Sequence, residues 1–187
     1  MIISPMIILE LNKKHNIIEN LSEREMHPEG LGFDIRIGEV FSISGEGFLG
    51  VTDRKSPNES KIADIKKDKG IILFPKAYVL VKTIERFNIP AEKIEVNGEK
   101  MLLMPHVFPR STLQRAGILL IATKTDPGYN GELTFALSNI SRCRFKLELG
   151  ARIANIVFYG AIGELSREYS GQWKDGRVAA VKKEKMN

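Results

Sequence analysis

Pro109–Asn139 reads PRSTLQRAGILLIATKTDPGYNGELTFALSN, and its second half decides the fold. Leu133, Phe135 and Leu137 alternate with Thr134, Ala136 and Ser138, the period of two that half-buries a β-strand. Upstream, Ile118–Thr123 is a second β-type run. Asp126-Pro127-Gly128-Tyr129-Asn130-Gly131 bends the chain between the two, since Asp, Pro and Gly each favour a turn. The same alternation recurs where Phe33, Ile35 and Ile37 interleave with Asp34, Arg36 and Gly38, and where Phe145, Leu147 and Leu149 interleave with Lys146 and Glu148. Further runs at Val40–Ser44, Gly70–Phe74, Tyr78–Thr83 and Ile153–Phe158 are separated by Gly, Pro, Asn and Asp.

Many short strands with little helix between them predict a mainly β fold: a sandwich, a jelly roll or a distorted barrel. Helical spacing is confined to Ile7–Leu21, read as one short N-terminal helix or two pieces broken near His15. Asp53–Asp68 is polar and carries Pro57 and Asn58, so it reads as a loop or a short insertion hairpin. From Tyr169 onward the chain is polar and without strong period, a C-terminal arm over residues 169–187.

The 187 residues, 43% hydrophobic, suit a single domain spanning 1–187. A net charge of +5, partly from Lys182, Lys183 and Lys185, is compatible with an anionic ligand. No long Arg/Lys run interleaved with aromatics is present, so a nucleic-acid partner is not expected. Cys143 stands alone, which excludes an intramolecular disulfide framework and any multi-cysteine zinc site and fits a reducing cytoplasm. Glu10, Lys13 and Lys14 interrupt the apolar start well short of a membrane span, so neither a secretion signal nor an anchor is expected. His15, His27 and His106 show no ligand spacing, and neither a Walker loop nor the zinc-deaminase signature appears.

Several segments carry side chains suited to an anionic ligand. Ser111–Gly117 reads as a helical turn after Pro109. Ser111 and the guanidinium forks of Arg110 and Arg115 suit phosphate oxygens, or Ser111 simply caps the turn between exposed arginines. Asp126 is complete as plain turn chemistry, yet Tyr129 beside it would set a sugar-stacking face next to a general base. Asp34 and Arg36 share a strand face and would pair with each other or serve a metal–nucleotide complex. Arg152 enters a strand after Gly150. Trp173, the only tryptophan, lies in Tyr169-Ser170-Gly171-Gln172-Trp173, where it would dock the tail or close over a base.

Taken in order, GLGFDIRIG, PRSTLQRAG, TDPGYNGELTFALSN and GARIANIVF resemble successive motifs of the superfamily that contains dUTP pyrophosphatases (dUTPases) and dCTP deaminases. The likeness covers about Gly30 to Gly176. It implies a dUTPase-type distorted jelly roll, a homotrimer with active sites at subunit interfaces, and a Mg²⁺-bound deoxynucleoside triphosphate. By resemblance, Asp126 activates water and Tyr129 packs on the deoxyribose. Arg110 and Ser111 contact phosphate, Arg115 contacts phosphate or an interface, Arg152 binds substrate, and Asp34 lies in the outer shell of Mg²⁺, through water. Tyr169, Gln172 and Trp173 would cover the bound nucleotide, in a tail, EYSGQWKDGR, that resembles those of the deaminase branch and of archaeal-type dUTPases.

In the deaminases of this superfamily a glutamate ten residues beyond the aspartate shuttles protons at the cytosine ring; here that position is Ala136. The expectation that follows is a dUTP diphosphatase, hydrolysing dUTP to dUMP and pyrophosphate. The alternatives are a dCTP deaminase, bifunctional or not, and a non-catalytic nucleotide-binding protein of the same fold.

Overall fold

The computed structural model describes every residue except Glu168, Ser170, Val181 and Asn187. In chain order its elements begin with β1 (Ile2–Ile3), α1 (Pro5–His15), β2 (Ile18–Glu19), β3 (Phe33–Ser44), β4 (Phe48–Leu49) and β5 (Asp53–Lys55). There follow β6 (Asn58–Asp64), β7 (Gly70–Leu73), β8 (Tyr78–Asn88), β9 (Ile94–Val96) and β10 (Glu99–Pro109). The last are α2 (Ser111–Arg115), β11 (Ile118–Ile121), β12 (Asn130–Asn139), β13 (Phe145–Glu148), β14 (Arg152–Ala161) and β15 (Glu184–Lys185). The fold is mainly β with a short N-terminal helix, as the alternation predicts.

Ten strands form one sheet whose main path runs β11-β12-β8-β3-β14-β10-β9, with β1 on β14, β2 on β8 and β6 on β3. Neighbours pair antiparallel, and alternate residues feed one core. On β12, Leu133, Phe135 and Leu137 are buried at 6%, 3% and 0% exposure, so the face read from the sequence is the face that packs. Phe33 and Phe158 meet edge to face at 6.2 Å across the β3–β14 pair, an arrangement aromatic quadrupoles favour.

The helix is shorter than Ile7–Leu21. Pro5 at the start of α1 has a φ preset for helix, and Asn16 caps the end in the left-handed region (φ 50°), donating its N–H to the Asn12 carbonyl. Ile17 and Ile18, which extend the helical spacing in sequence, instead enter the core beside β8, where Ile18 pairs with Phe87. Two predicted runs, Phe33–Ile37 and Val40–Ser44, fuse into the single strand β3.

Asp53–Asp68 is neither a loop nor a simple insertion. Its larger part, β6, joins the main sheet through Val40↔Ala63 and Ser42↔Ser60. Its start, β5, belongs to a small sheet β15-β5-β4 that takes up the C-terminal arm. The Ser56 N–H donates to the Ala180 carbonyl (2.8 Å), the Ala180 N–H donates to Ser56 Oγ (3.1 Å), and Ala180 is fully buried. No helix among the described residues is long and apolar enough to cross a membrane.

Candidate functional site

The turn after β11 and the first half of β12 form one wall of a cleft of about 460 Å³, and the arm forms the other. Asp126, Tyr129, Thr134, Tyr169 and Trp173 all line it, so four of the sequence-derived candidates converge. Among the described residues that line it, Asp126 is the one carboxylate. The Asp126 side chain is 29% exposed and pairs with Lys124 at 2.8 Å; that bond raises the Lys124 pKa. Tyr129 is 8% exposed, and its hydroxyl donates to the Glu132 carbonyl at 2.6 Å. Burial pushes its phenol far above the usual range, so it stays a protonated donor. Tyr169 lies 6.1 Å from Tyr129, ring centre to ring centre.

The turn places these groups through its glycines. Gly131 has φ 136°, a conformation side chains rarely adopt, and a Cβ there would strike Gly176 of the arm. The arm therefore seats on β12 only because residue 131 has no side chain.

A second constellation centres on Asp34, whose side chain is 7% exposed. Its Oδ2 receives Nη1 of Arg24 at 3.0 Å and of Arg152 at 2.8 Å, together with Nη1 of Arg110. Its Oδ1 receives Asn155 Nδ2 at 3.1 Å. The Asp34 N–H donates to Glu25 Oε2 at 2.9 Å, and Glu25 is itself 2% exposed. Asn155 stands directly opposite Asp34 across β14–β3, and a register shift between Arg152 and Ala154 re-phases the strand. Residues three apart would otherwise point to opposite faces; the shift lets Arg152 and Asn155 reach one carboxylate. Gly32 completes the packing, because a Cβ there would strike the Asn155 side chain and come within 2.7 Å of the Ile156 carbonyl.

The donor set at Asp34 does not fit a metal shell. Oδ2 accepts from three guanidiniums and Oδ1 from one amide, and the three positive charges crowd the position a directly bound cation would need. Asp34 is the anchor of an arginine cluster. Among the described residues no group of three or more His, Cys, Asp or Glu side chains is placed to hold a metal ion.

Arg110 and Arg152 line a separate cleft of about 450 Å³ with Thr112 and Lys146. Among the described residues none lines both clefts. The arginines and the Asp126 group thus line different clefts of the chain. Ser111 and Arg115, on α2, are exposed next to the arginine cleft but do not line it. Gln172 lies outside both linings, held by Arg54 and by the Lys185 carbonyl at 2.8 Å. Arg24 and Glu25 were missed by sequence reading; they sit in a short 3-10 turn without periodicity, and no local signal marks them.

Ala136 is 6% exposed between Leu80 and Ile121 of the flanking strands. Glu132, four residues earlier, does not line the Asp126 cleft; it pairs with Lys82 (3.5 Å) and Arg86 (3.7 Å). No carboxylate on β12 replaces the missing one.

Residues 2–161 match the family described as dCTP deaminase-like. A dCTP deaminase of Thermococcus kodakarensis is 32% identical over 173 residues, 92% of this chain and 94% of that relative. A relative from Dictyoglomus turgidum named dCTP deaminase, dUMP-forming, is 30% identical over 80% of this chain and 74% of its own length. The solved 2′-deoxycytidine 5′-triphosphate deaminase of Agrobacterium tumefaciens superposes with a TM-score of 0.61 at 16% identity. It matches 84% of this chain, which spans about half (47%) of that structure, and it speaks to fold alone. The expectation of a dUTP diphosphatase, drawn from Asp126 and Ala136, is overturned by these relatives. Near-full-length sequence likeness runs to deaminases, and one alanine is outweighed by similarity spread over the whole chain.

Proposed function

From the premise that this chain belongs to the dCTP deaminase-like family, we propose that it deaminates dCTP, adding water at C4 of cytosine and releasing ammonia. The observation that carries the reading is likeness to dCTP deaminases over nine-tenths of both lengths. The nucleoside half of the site is the Asp126 cleft. With Ala136 unable to carry a proton, Asp126, the one carboxylate among the described residues lining the cleft, takes the proton from the attacking water. Asp126 passes that proton to N3 as the C4–O bond forms, then carries the proton of the C4 hydroxyl to the amino nitrogen, so that C4=O forms and ammonia leaves as the C4–N bond breaks. Tyr129 packs on the sugar, and Tyr169 and Trp173 cover the base. Arg110 and Arg152, aligned by Asp34, receive the triphosphate, with Ser111 and Arg115 at the rim. Any Mg²⁺ would travel with the triphosphate. The reducing cytoplasm suggested by the lone cysteine is the compartment in keeping with this role.

A coupled ammonia assay on dCTP, CTP and dCMP tests the reading. Ammonia is expected from dCTP first, with CTP disfavoured by Tyr129 and dCMP by the unused arginines; no ammonia from any of them would refute it. Mass analysis then separates dUTP from dUMP as product.

A second reading, nucleotide binding without turnover, is favoured by Ala136 and would show as dCTP binding without ammonia release.

The arginines and the Asp126 group line different clefts, which is in keeping with a site completed by a second copy of the chain, in a cyclic homotrimer of the kind the superfamily resemblance implies. Inactive Asp126→Asn and Arg110→Ala chains, unfolded and reassembled together in equal amounts, should then recover about a quarter of the normal activity. A mixture that stays inactive would place both halves of the site in one chain.

A further inference from the structure

The small sheet β15-β5-β4 lies beside the Asp126 cleft without lining it, and one of its side chains reaches the arm. Arg54, at the centre of β5, pairs across to Leu49 on β4 and to Glu184 on β15. Its Nε donates to Gln172 Oε1, and its guanidinium carbon lies 5.1 Å from the centre of the Trp173 ring. Gln172 in turn donates Nε2 to the Lys185 carbonyl at 2.8 Å, so the amide is fixed at both ends. The surrounding pairs tie the same elements: Lys183 to Asp53 at 3.2 Å, and Arg177 Nη1 to Glu184 Oε2 at 3.1 Å. A planar guanidinium that hydrogen-bonds one neighbour and lies over the indole of the next fixes both the position and the tilt of that ring.

We propose that Arg54 is a positioning residue for a pyrimidine deoxynucleotide, holding Gln172 and Trp173 so that the indole stands ready at the mouth of the Asp126 cleft. The β4–β5 hairpin is then a clasp for the arm. The proposal rests on the nucleotide reading of that cleft, but the clasp itself is a property of the free chain. Without Arg54 the backbone pairing of β5 with β15 persists, while the indole loses the one cation lying over it among the described residues and its tether through Gln172. Ordering the ring then falls to the ligand, which weakens binding and raises KM more than it lowers kcat.

Trp173 is the only tryptophan, so its fluorescence reads the clasp directly. In nucleotide-free full-length protein, Arg54→Ala should raise the acrylamide quenching constant of Trp173. By calorimetry the same variant should bind dCTP about tenfold more weakly. Arg54→Lys keeps the charge but not the flat fork, and should restore less than half of either effect. A quenching constant unchanged in a folded Arg54→Ala protein would overturn the clasp. Full recovery by Arg54→Lys would overturn the role of the guanidinium plane in favour of charge alone. Failure of the unaltered chain to bind dCTP would overturn the nucleotide role, and the quenching comparison would still decide the clasp.

Discussion

Asp126→Asn should reduce ammonia release from dCTP by about a thousandfold, within the range a positioned proton-transfer group supplies. The substitution keeps the size and shape of the side chain but removes the ability to accept a proton at neutral pH. Stability should barely move, because the one ion pair lost, to the 72% exposed Lys124, is a solvent-screened contact. Binding of dCTP should also persist, since the arginines, Tyr129 and Trp173 are untouched. The expected pattern is therefore a fall in kcat with an unchanged melting temperature and little change in affinity. Turnover retained by Asp126→Asn would mean that another group moves the proton, and would remove Asp126 from the chemistry.

Asp34→Ala should be the most destabilising change at the site. Three guanidiniums share this carboxylate, and without it they would face one another with only the Glu25 and Glu29 pairs of Arg24 to offset their charge among the described residues. Removing one member of a buried charge cluster costs about 3–5 kcal/mol, and the 33–49% exposure of the arginine side chains puts this case near the lower end. A loss of about 3 kcal/mol in a chain of this length lowers the melting temperature by roughly 6–12 °C. The effect should be the same with EDTA as with Mg²⁺. A metal-shell role for Asp34 predicts the opposite: normal stability in EDTA and a defect only when Mg²⁺ is supplied. Thermal unfolding in the two buffers distinguishes them.

The strands that alternate along their length were legible because one face packs and the other does not; β12 and β13 show this plainly. Other strands were hidden for equally physical reasons. On β10, Met101, Leu102 and Leu103 are all buried, so a strand covered on both sides shows no period of two. The polar β6 looks like a loop, because its side chains are largely exposed while its backbone joins the main sheet. At the site, Asp126, Tyr129, Tyr169 and Trp173 could be named from the chain, since turn chemistry and the rarity of aromatics mark them. The role of Asp34 could not. It depends on Arg24, Arg110 and Arg152, of which Arg152 is 118 positions away, and on a register shift that no local pattern announces. Arg54 and Gln172 meet across an equal separation. Ala136 misled in another way: a real absence was read as deciding between two activities, although the chain is similar over nine-tenths of its length to a protein named for the other.

The most direct measurement is turnover of dCTP in H₂¹⁸O, followed by mass analysis of the base and phosphate fragments of the product. Water added at C4 leaves one ¹⁸O atom in the uracil ring, and the account predicts that label in every molecule of product. A product whose ¹⁸O lies only in phosphate, with the cytosine ring unchanged, would contradict it.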